Sequence, residues 1–252
     1  MTRAIRLFCC LALFLAAMPT SSLPIAGPAP AQTTASATVK SCFLLFELGV
    51  GELRRDPSDA CATRITPAST FKVPHALAAL DAGVVGPNEL LRYDGTGQGF
   101  ESWRQDHTLA SALRHSVVWY FQQVAQRLGR ERETAYLRRL AYGNMDASGG
   151  LTTFWLGGSL QVAPEEQQDF WVKLYTNRLP IAKSTIDSVK AMLVQPDGVV
   201  VNAAGAHPFD GPWAAGTIVS AKTGSGTDQS GSAVRWLVGH VNRADRMSLS
   251  VV

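Results

Sequence analysis

The chain has few cysteines, and none stands where redox or zinc chemistry would need it. Of four in 252 residues, Cys9 and Cys10 fall among the first ten positions and only Cys42 and Cys61 lie further in. Neither of the later pair belongs to a Cys-x-x-Cys motif or a Cys/His cluster. The five histidines, at 75, 107, 115, 207 and 240, lack His-Glu-x-x-His and His-x-His spacing, so no metal is expected and each reads as a surface or helix-end residue. Charge is also scarce, at 17% of residues with a formal net charge of +3, which gives no reason to expect a nucleic-acid partner. Repeats and low-complexity segments are absent. The apolar run from Leu7 to Met18 is cut by Pro19 and Thr20, short of the roughly 18 to 20 residues a membrane span needs.

That run has a different reading. Arg3 and Arg6 precede it and the small-x-small step Ala29-Pro30-Ala31 follows it, the pattern of a secretory signal peptide over residues 1–31. Ala35-Ser36-Ala37 offers a second cleavage site, after Ala37. Cleavage after Ala31 removes two arginines and no acid, so the net charge falls from +3 to +1. An exported chain left with two cysteines invites one disulfide, Cys42–Cys61, against the alternative of two buried free thiols.

Residues 32–252 are enough for one well-packed core and few for two. Cys42 to Leu48 reads as a strand entering a turn at Gly49 and Gly51. From Ala68 to Ala82 the apolar residues keep helical spacing with Gly83 as the stop, and Pro74 requires that helix to start within a turn, near Ser69. Residues 84–107 read as loop. Further helical patterns cover Thr108–His115, Val117–Leu128, Arg132–Ala141, Pro164–Thr176 and Ser184–Val194. After residue 195 the pattern turns to β at Val199–Asn202, Thr217–Lys222, Val234–Val241 and Met247–Val252, with Ser225–Ser232 read as a loop. Strands at both ends and helices between predict an α+β fold, an antiparallel sheet formed by both chain ends with an adjoining helical region.

Three short motifs carry chemistry. Ser69-Thr-Phe-Lys72 is a Ser-x-x-Lys at the start of the core helix, a spacing that puts hydroxyl and amine on one face, a turn apart. An uncharged lysine there can take the serine proton, and the serine N–H can face an oxyanion; a mere helix-capping serine is the ordinary alternative. Lys222-Thr223-Gly224 lies at the end of a strand, where the lysine and hydroxyl can hold a carboxylate and the glycine lets substrate backbone approach; a solvated Lys-Thr before a turn is the plainer reading. Ser116-Val117-Val118 interrupts two helical patterns, and its hydroxyl is either a helix cap or a proton relay. The first and last motifs, in this order and about 150 residues apart, make coincidence improbable.

Together with Tyr142-Gly-Asn144, Phe154-Trp-Leu156 and the stretches Pro67–Pro74, Tyr120–Ala125 and Gly158–Val162, these motifs resemble the set of class D (oxacillinase-type) serine β-lactamases, over most of Cys42–Val241. The resemblance implies the serine β-lactamase/penicillin-binding transpeptidase fold and a periplasmic enzyme that opens small-molecule β-lactams through an acyl-serine intermediate. It implies Ser69 as nucleophile, Lys72 carrying a CO2-derived carbamate as general base with no other cofactor, and Ser116 as proton donor to the leaving nitrogen, polarised by Lys222. Thr223 would bind the substrate carboxylate, Val118 and Trp155 would line the lysine pocket beside Phe71, and the N–H groups of Ser69 and Ser225 would form the oxyanion hole. A donor-only indole such as Trp155 suits an anion held in an apolar pocket. Tyr142-Gly-Asn reads as architectural, placing the loop that bears Trp155. Substrate choice falls to the loops at 95–107 and 203–232.

Two competing readings remain. A penicillin-binding D,D-peptidase uses the same serine-lysine logic but normally has Asn where Val118 stands, and a non-hydrolysing β-lactam sensor would be expected to follow several membrane spans. The family pattern also continues beyond Val252 with the rest of a strand and a C-terminal helix, bearing an arginine that assists Thr223; Arg235, Arg243 and Arg246 lie too early to match it. The sequence is therefore expected to be a C-terminally truncated form, with weaker substrate binding and reduced stability.

Overall fold

The computed structural model describes residues 40–251 except 58, 97–98, 210, 212–213 and 244–246, and the backbone alone for 247–251. The expected signal segment and both cleavage sites lie outside the described residues, as do residues 244–246 of the expected turn at Asn242–Arg246.

Both ends of the described chain contribute to one antiparallel sheet, as the pattern predicts. Strands β1 (Phe43–Glu47) and β2 (Gly51–Asp56) form a hairpin; β5 (Ile218–Thr227), β6 (Ala233–Asn242) and β7 (Met247–Val251) follow late in the chain, and the spatial order is β2-β1-β7-β6-β5. In β6 the buried side chains Val234, Trp236, Val238 and His240 fall at every second position, the period that gives a strand one covered face. The pattern at 199–202 is β3 (Val199–Asn202), which pairs with β4 (Gly205–Pro208) in a separate two-stranded ribbon.

Five helices supply the rest: α1 (Lys72–Asp81), α2 (Leu109–Arg114), α3 (Val118–Leu140), α4 (Pro164–Tyr175) and α5 (Lys183–Leu193). α4 packs on β1, β6 and β7, and α1 lies among α2, α3 and α5 with Val73, Ala76, Leu77 and Ala79 wholly buried. Its stop is a Schellman arrangement: Gly83 at φ +64° donates to Leu80 O and Val84 donates to Ala79 O, satisfying carbonyls the helix leaves free. Its start differs from expectation. Ala68–Phe71 is a 3-10 turn and the α-helix begins at Lys72, which leaves Pro74 in the first turn, where its missing N–H costs nothing. The patterns at 117–128 and 132–141 join into α3, which is kinked at Gly129 (φ 73°, ψ 160°). At α4, Pro164 opens the helix and Glu166 accepts the N–H of Ala163 at 2.9 Å.

Three strand features escaped the sequence. β2 is an edge strand of Glu, Leu and Arg, held by ion pairs from Arg55 to Glu52 and Glu165 rather than by an apolar face. β4 is mostly exposed. Ser225–Ser232 is not all loop: β5 runs on to Thr227, and only then does the Asp228 carboxylate gather the N–H groups of Ser230 and Ser232 into a turn.

The cysteines do pair. Cys42, just ahead of β1, is disulfide-bonded to Cys61, with Cα atoms 5.2 Å apart, and both are buried. Among the described residues no helix is long and apolar enough to cross a membrane.

Candidate active site

The turn that bears Ser69 is wedged between the sheet and the helices. Ala68–Phe71 lies against β5, and the strand's glycines permit the approach: a Cβ at Gly224 would sit 3.1 Å from Pro67 O and from Thr70 Cγ2, and one at Gly226 would lie 3.3 Å from Ala68 Cβ. The Lys222-Thr-Gly glycine, read as room for substrate backbone, is thus filled by the protein's own turn. Lys222-Thr223-Gly224 also sits inside β5, not at its end, because the strand continues for three residues more. β5 is the outer strand of the sheet; Val194 bridges its far edge at Ser220 and the Gln195 side chain donates to Ala221 O, just ahead of the motif.

Four polar groups converge there. Lys72, fully buried, donates from Nζ to Ser69 Oγ at 2.6 Å. Lys222, on β5, donates from Nζ to Ser116 Oγ at 2.9 Å and to its neighbour's carbonyl, Thr223 O, at 2.7 Å. Burial drives the Lys72 amine well below the usual lysine range, and the nearby Lys222 pushes it the same way. Lys222 is lowered by burial to about 7. Two buried lysines, each without a carboxylate partner among the described residues and each touching a serine hydroxyl, are groups tuned toward the neutral amine rather than for ion pairing. Both sites also hold backbone in a costly region, Ala68 at φ +46° and Ser116 at φ +58°, as happens where local geometry is fixed by its surroundings.

The lysine pocket is aromatic. Lys72 Nζ stands 5.7 Å from the Phe121 ring centroid, and Phe71 packs against Phe154 at 5.2 Å and Trp155 at 5.7 Å. Trp155 is wholly buried, and its indole N–H has no hydrogen-bond partner among the described residues. A buried orphan donor packed on Phe71, the residue before a lysine whose charged form burial disfavours, fits an anionic oxygen group carried on Lys72. Val118, half-buried, is the first residue of α3, directly after the Ser116 turn. Thr223 is half-buried and Ser225 exposed.

Sequence reasoning missed the clamps that set the Trp155 loop. Thr66 Oγ1 donates to Trp155 O at 3.1 Å and accepts from Gly157 N at 3.0 Å, while Thr66 O accepts the Trp236 indole N–H at 2.9 Å. Gly157 at φ +93° brings its Cα so close to β5 that a Cβ would lie 2.5 Å from Thr227 O. From the other side Asn144 donates to Ser159 O and accepts from Gln161 N, and Gly143 leaves no room for a Cβ, which would meet Gln161 O at 2.1 Å. Tyr142-Gly-Asn is therefore architectural, as read. A lone threonine gives no pattern, so Thr66 left no signal. The histidines need correction: His115 ends α2 and His207 is exposed, but His75, His107 and His240 are buried, which spacing alone does not reveal.

Known proteins place this geometry. Residues 33–252 match the family model described as the penicillin binding protein transpeptidase domain. The chain is 46% identical over 136 residues to "Probable beta-lactamase YbxI" of Bacillus subtilis (strain 168), covering 54% of this chain and 51% of that protein. It is 34% identical over 206 residues to "Beta-lactamase OXA-10" of Pseudomonas aeruginosa, covering 77% of this chain and 71% of that one. The chain spans about half the length of several of the curated relatives it matches. The solved structure "Class D beta-lactamase BAT-2" superposes with a TM-score of 0.72 at 35% identity, over 83% of this chain and 81% of its own. With the transpeptidase model matched over residues 33–252, OXA-10 matched over 71% of its length at 34% identity and the class D structure superposed at a TM-score of 0.72, the chain belongs to the class D β-lactamases, within the penicillin-binding transpeptidase family.

Proposed function

We propose that the protein hydrolyses the β-lactam amide of penicillin-type antibiotics through an acyl-serine intermediate, in the periplasm after export, and so confers antibiotic resistance. The observation that carries this reading is the pair of buried contacts, Lys72 Nζ to Ser69 Oγ and Lys222 Nζ to Ser116 Oγ, one hydroxyl placed to attack and the other to relay a proton. Ser69 Oγ bonds to the lactam carbonyl carbon and its proton passes to the Lys72 side chain. The developing oxyanion is met by the N–H groups of Ser69 and Ser225. The C–N bond then breaks as Ser116, its hydroxyl polarised by Lys222, delivers a proton to the nitrogen and regains one from the Lys72 side chain. Water then gives a proton to the Lys72 side chain and attacks the acyl carbon, and the C–O bond to Ser69 breaks with that proton returned to Ser69 Oγ. Thr223, half-buried on β5, takes the substrate carboxylate. A CO2-derived carbamate on Lys72, when present, would supply an anionic base; Phe121 faces the amine that would form it, and Trp155, packed on Phe71, carries a buried unpartnered indole N–H.

Steady-state hydrolysis of a chromogenic cephalosporin, with intact mass after penicillin treatment, tests the reading. Turnover with a transient adduct that disappears in Ser69→Ala is expected. A persistent single adduct without turnover would select a D,D-peptidase or sensor instead, and an adduct retained in Ser69→Ala would remove Ser69 as nucleophile.

A further inference from the structure

One buried ionisable pair has no part in the chemistry above. His75 follows Lys72 by three residues on α1, so its ring lies on the same face of the helix, about one turn deeper. That ring is enclosed by Phe71 at 5.1 Å, Trp155 at 5.4 Å and Phe121 at 5.6 Å, and Phe121 is also the ring that stands 5.7 Å from Lys72 Nζ. Its Nε2 stands 2.6 Å from Oε1 of Glu133, which comes from α3 beyond the Gly129 kink, and the side chains are 0% and 1% exposed. The approach is close but not aligned as a linear hydrogen bond, and His75 Nδ1 has no hydrogen-bond partner among the described residues. A carboxyl group this deeply buried is costly without a partner, and the His75 imidazole is the polar group that faces it.

We propose that His75 and Glu133 form a positioning pair for the lysine pocket: Glu133 fixes the orientation of the His75 ring, and the ring in turn holds Trp155 and Phe71 in the places that keep Lys72 ready to take up CO2. The pair ties the nucleophile helix to α3 across the back of the pocket. Loss of the carboxyl leaves the imidazole free to turn, and the Trp155 indole, in T-shaped contact with it, loses the wall that sets its plane. This inference rests on the carbamate reading of Lys72.

The test uses the full enzyme with Glu133→Met and Glu133→Gln. Carbamate on Lys72 is read by 13C NMR after equilibration with 13C-labelled bicarbonate, and the folded fraction is counted by near-UV circular dichroism. Per folded molecule, Glu133→Met should need about tenfold more bicarbonate for half-occupancy, the effect of removing one buried polar partner, whereas Glu133→Gln, which can still contact the ring, should stay within about threefold. A merely structural role would lower the folded fraction without moving the bicarbonate midpoint. An unchanged midpoint in Glu133→Met beside a carbamylated parent would overturn the pair's role alone. Absence of carbamate in the parent would overturn the reading of Lys72 and this inference with it.

Discussion

Lys222 should destabilise the fold in a way that pH reveals. Its amine titrates near 7 in the folded protein against an ordinary lysine value of 10.5. Between those values the unfolded chain binds more protons than the native one, so stability rises with pH from about 7 to about 10.5 and is lost as pH falls back through 7. At about 1.36 kcal/mol per pH unit, burying this lysine costs about 5 kcal/mol at pH 6 and about 2 kcal/mol at pH 9. Replacing Lys222 with Met keeps the stem and removes the titration. Wild type should therefore gain about 3 kcal/mol on the variant between pH 6 and pH 9, roughly 5–10 °C in Tm for a domain of this size. Lys72 titrates in both proteins and largely cancels in the difference. Urea unfolding of both proteins at the two pH values gives the number directly, with activity lost in the variant as a control that the relay is broken. A wild-type-minus-variant difference that does not change with pH would show that Lys222 is not buried neutral, and would remove the electrostatic basis for its contact with Ser116.

Trp155→Phe keeps the packing against Phe71 and Phe154 but deletes the orphan indole N–H; rapid-mixing kinetics should show deacylation slowed about tenfold or more with acylation less affected, and equal loss in both steps would count against a donor role. Gly143→Ala forces a Cβ onto Gln161 O and disturbs the Asn144 N–H bond to that carbonyl, so thermal melts should show a loss of about 3 kcal/mol, and an unchanged Tm would mean the loop tolerates the shift. Reduction of Cys42–Cys61, which are 19 positions apart, should cost about 3 kcal/mol of stability while leaving kcat unchanged, with a fall in kcat at full folding speaking against a purely structural bridge.

The sequence by itself determined the elements whose signals are local. Helical spacing with Gly83 as a stop marked α1, Pro164-Glu-Glu marked the start of α4, and apolar strands at both ends marked the sheet, because periodicity and capping depend only on near neighbours. Ser69, Lys72, Ser116 and Lys222 were legible because their motifs are short and ordered along the chain. Tertiary structure decided what rests on distant contacts. The segment 224–227 is strand because it pairs with Ala233–Trp236 of β6, and β2 is strand because β1 and distant Glu165 hold an otherwise charged edge. Thr66 clamps a loop some ninety residues away, and His75, which reads as a helix-end residue, is buried against Glu133 from another helix. Burial and partner identity are properties of the packed chain, so no spacing within one segment could announce them.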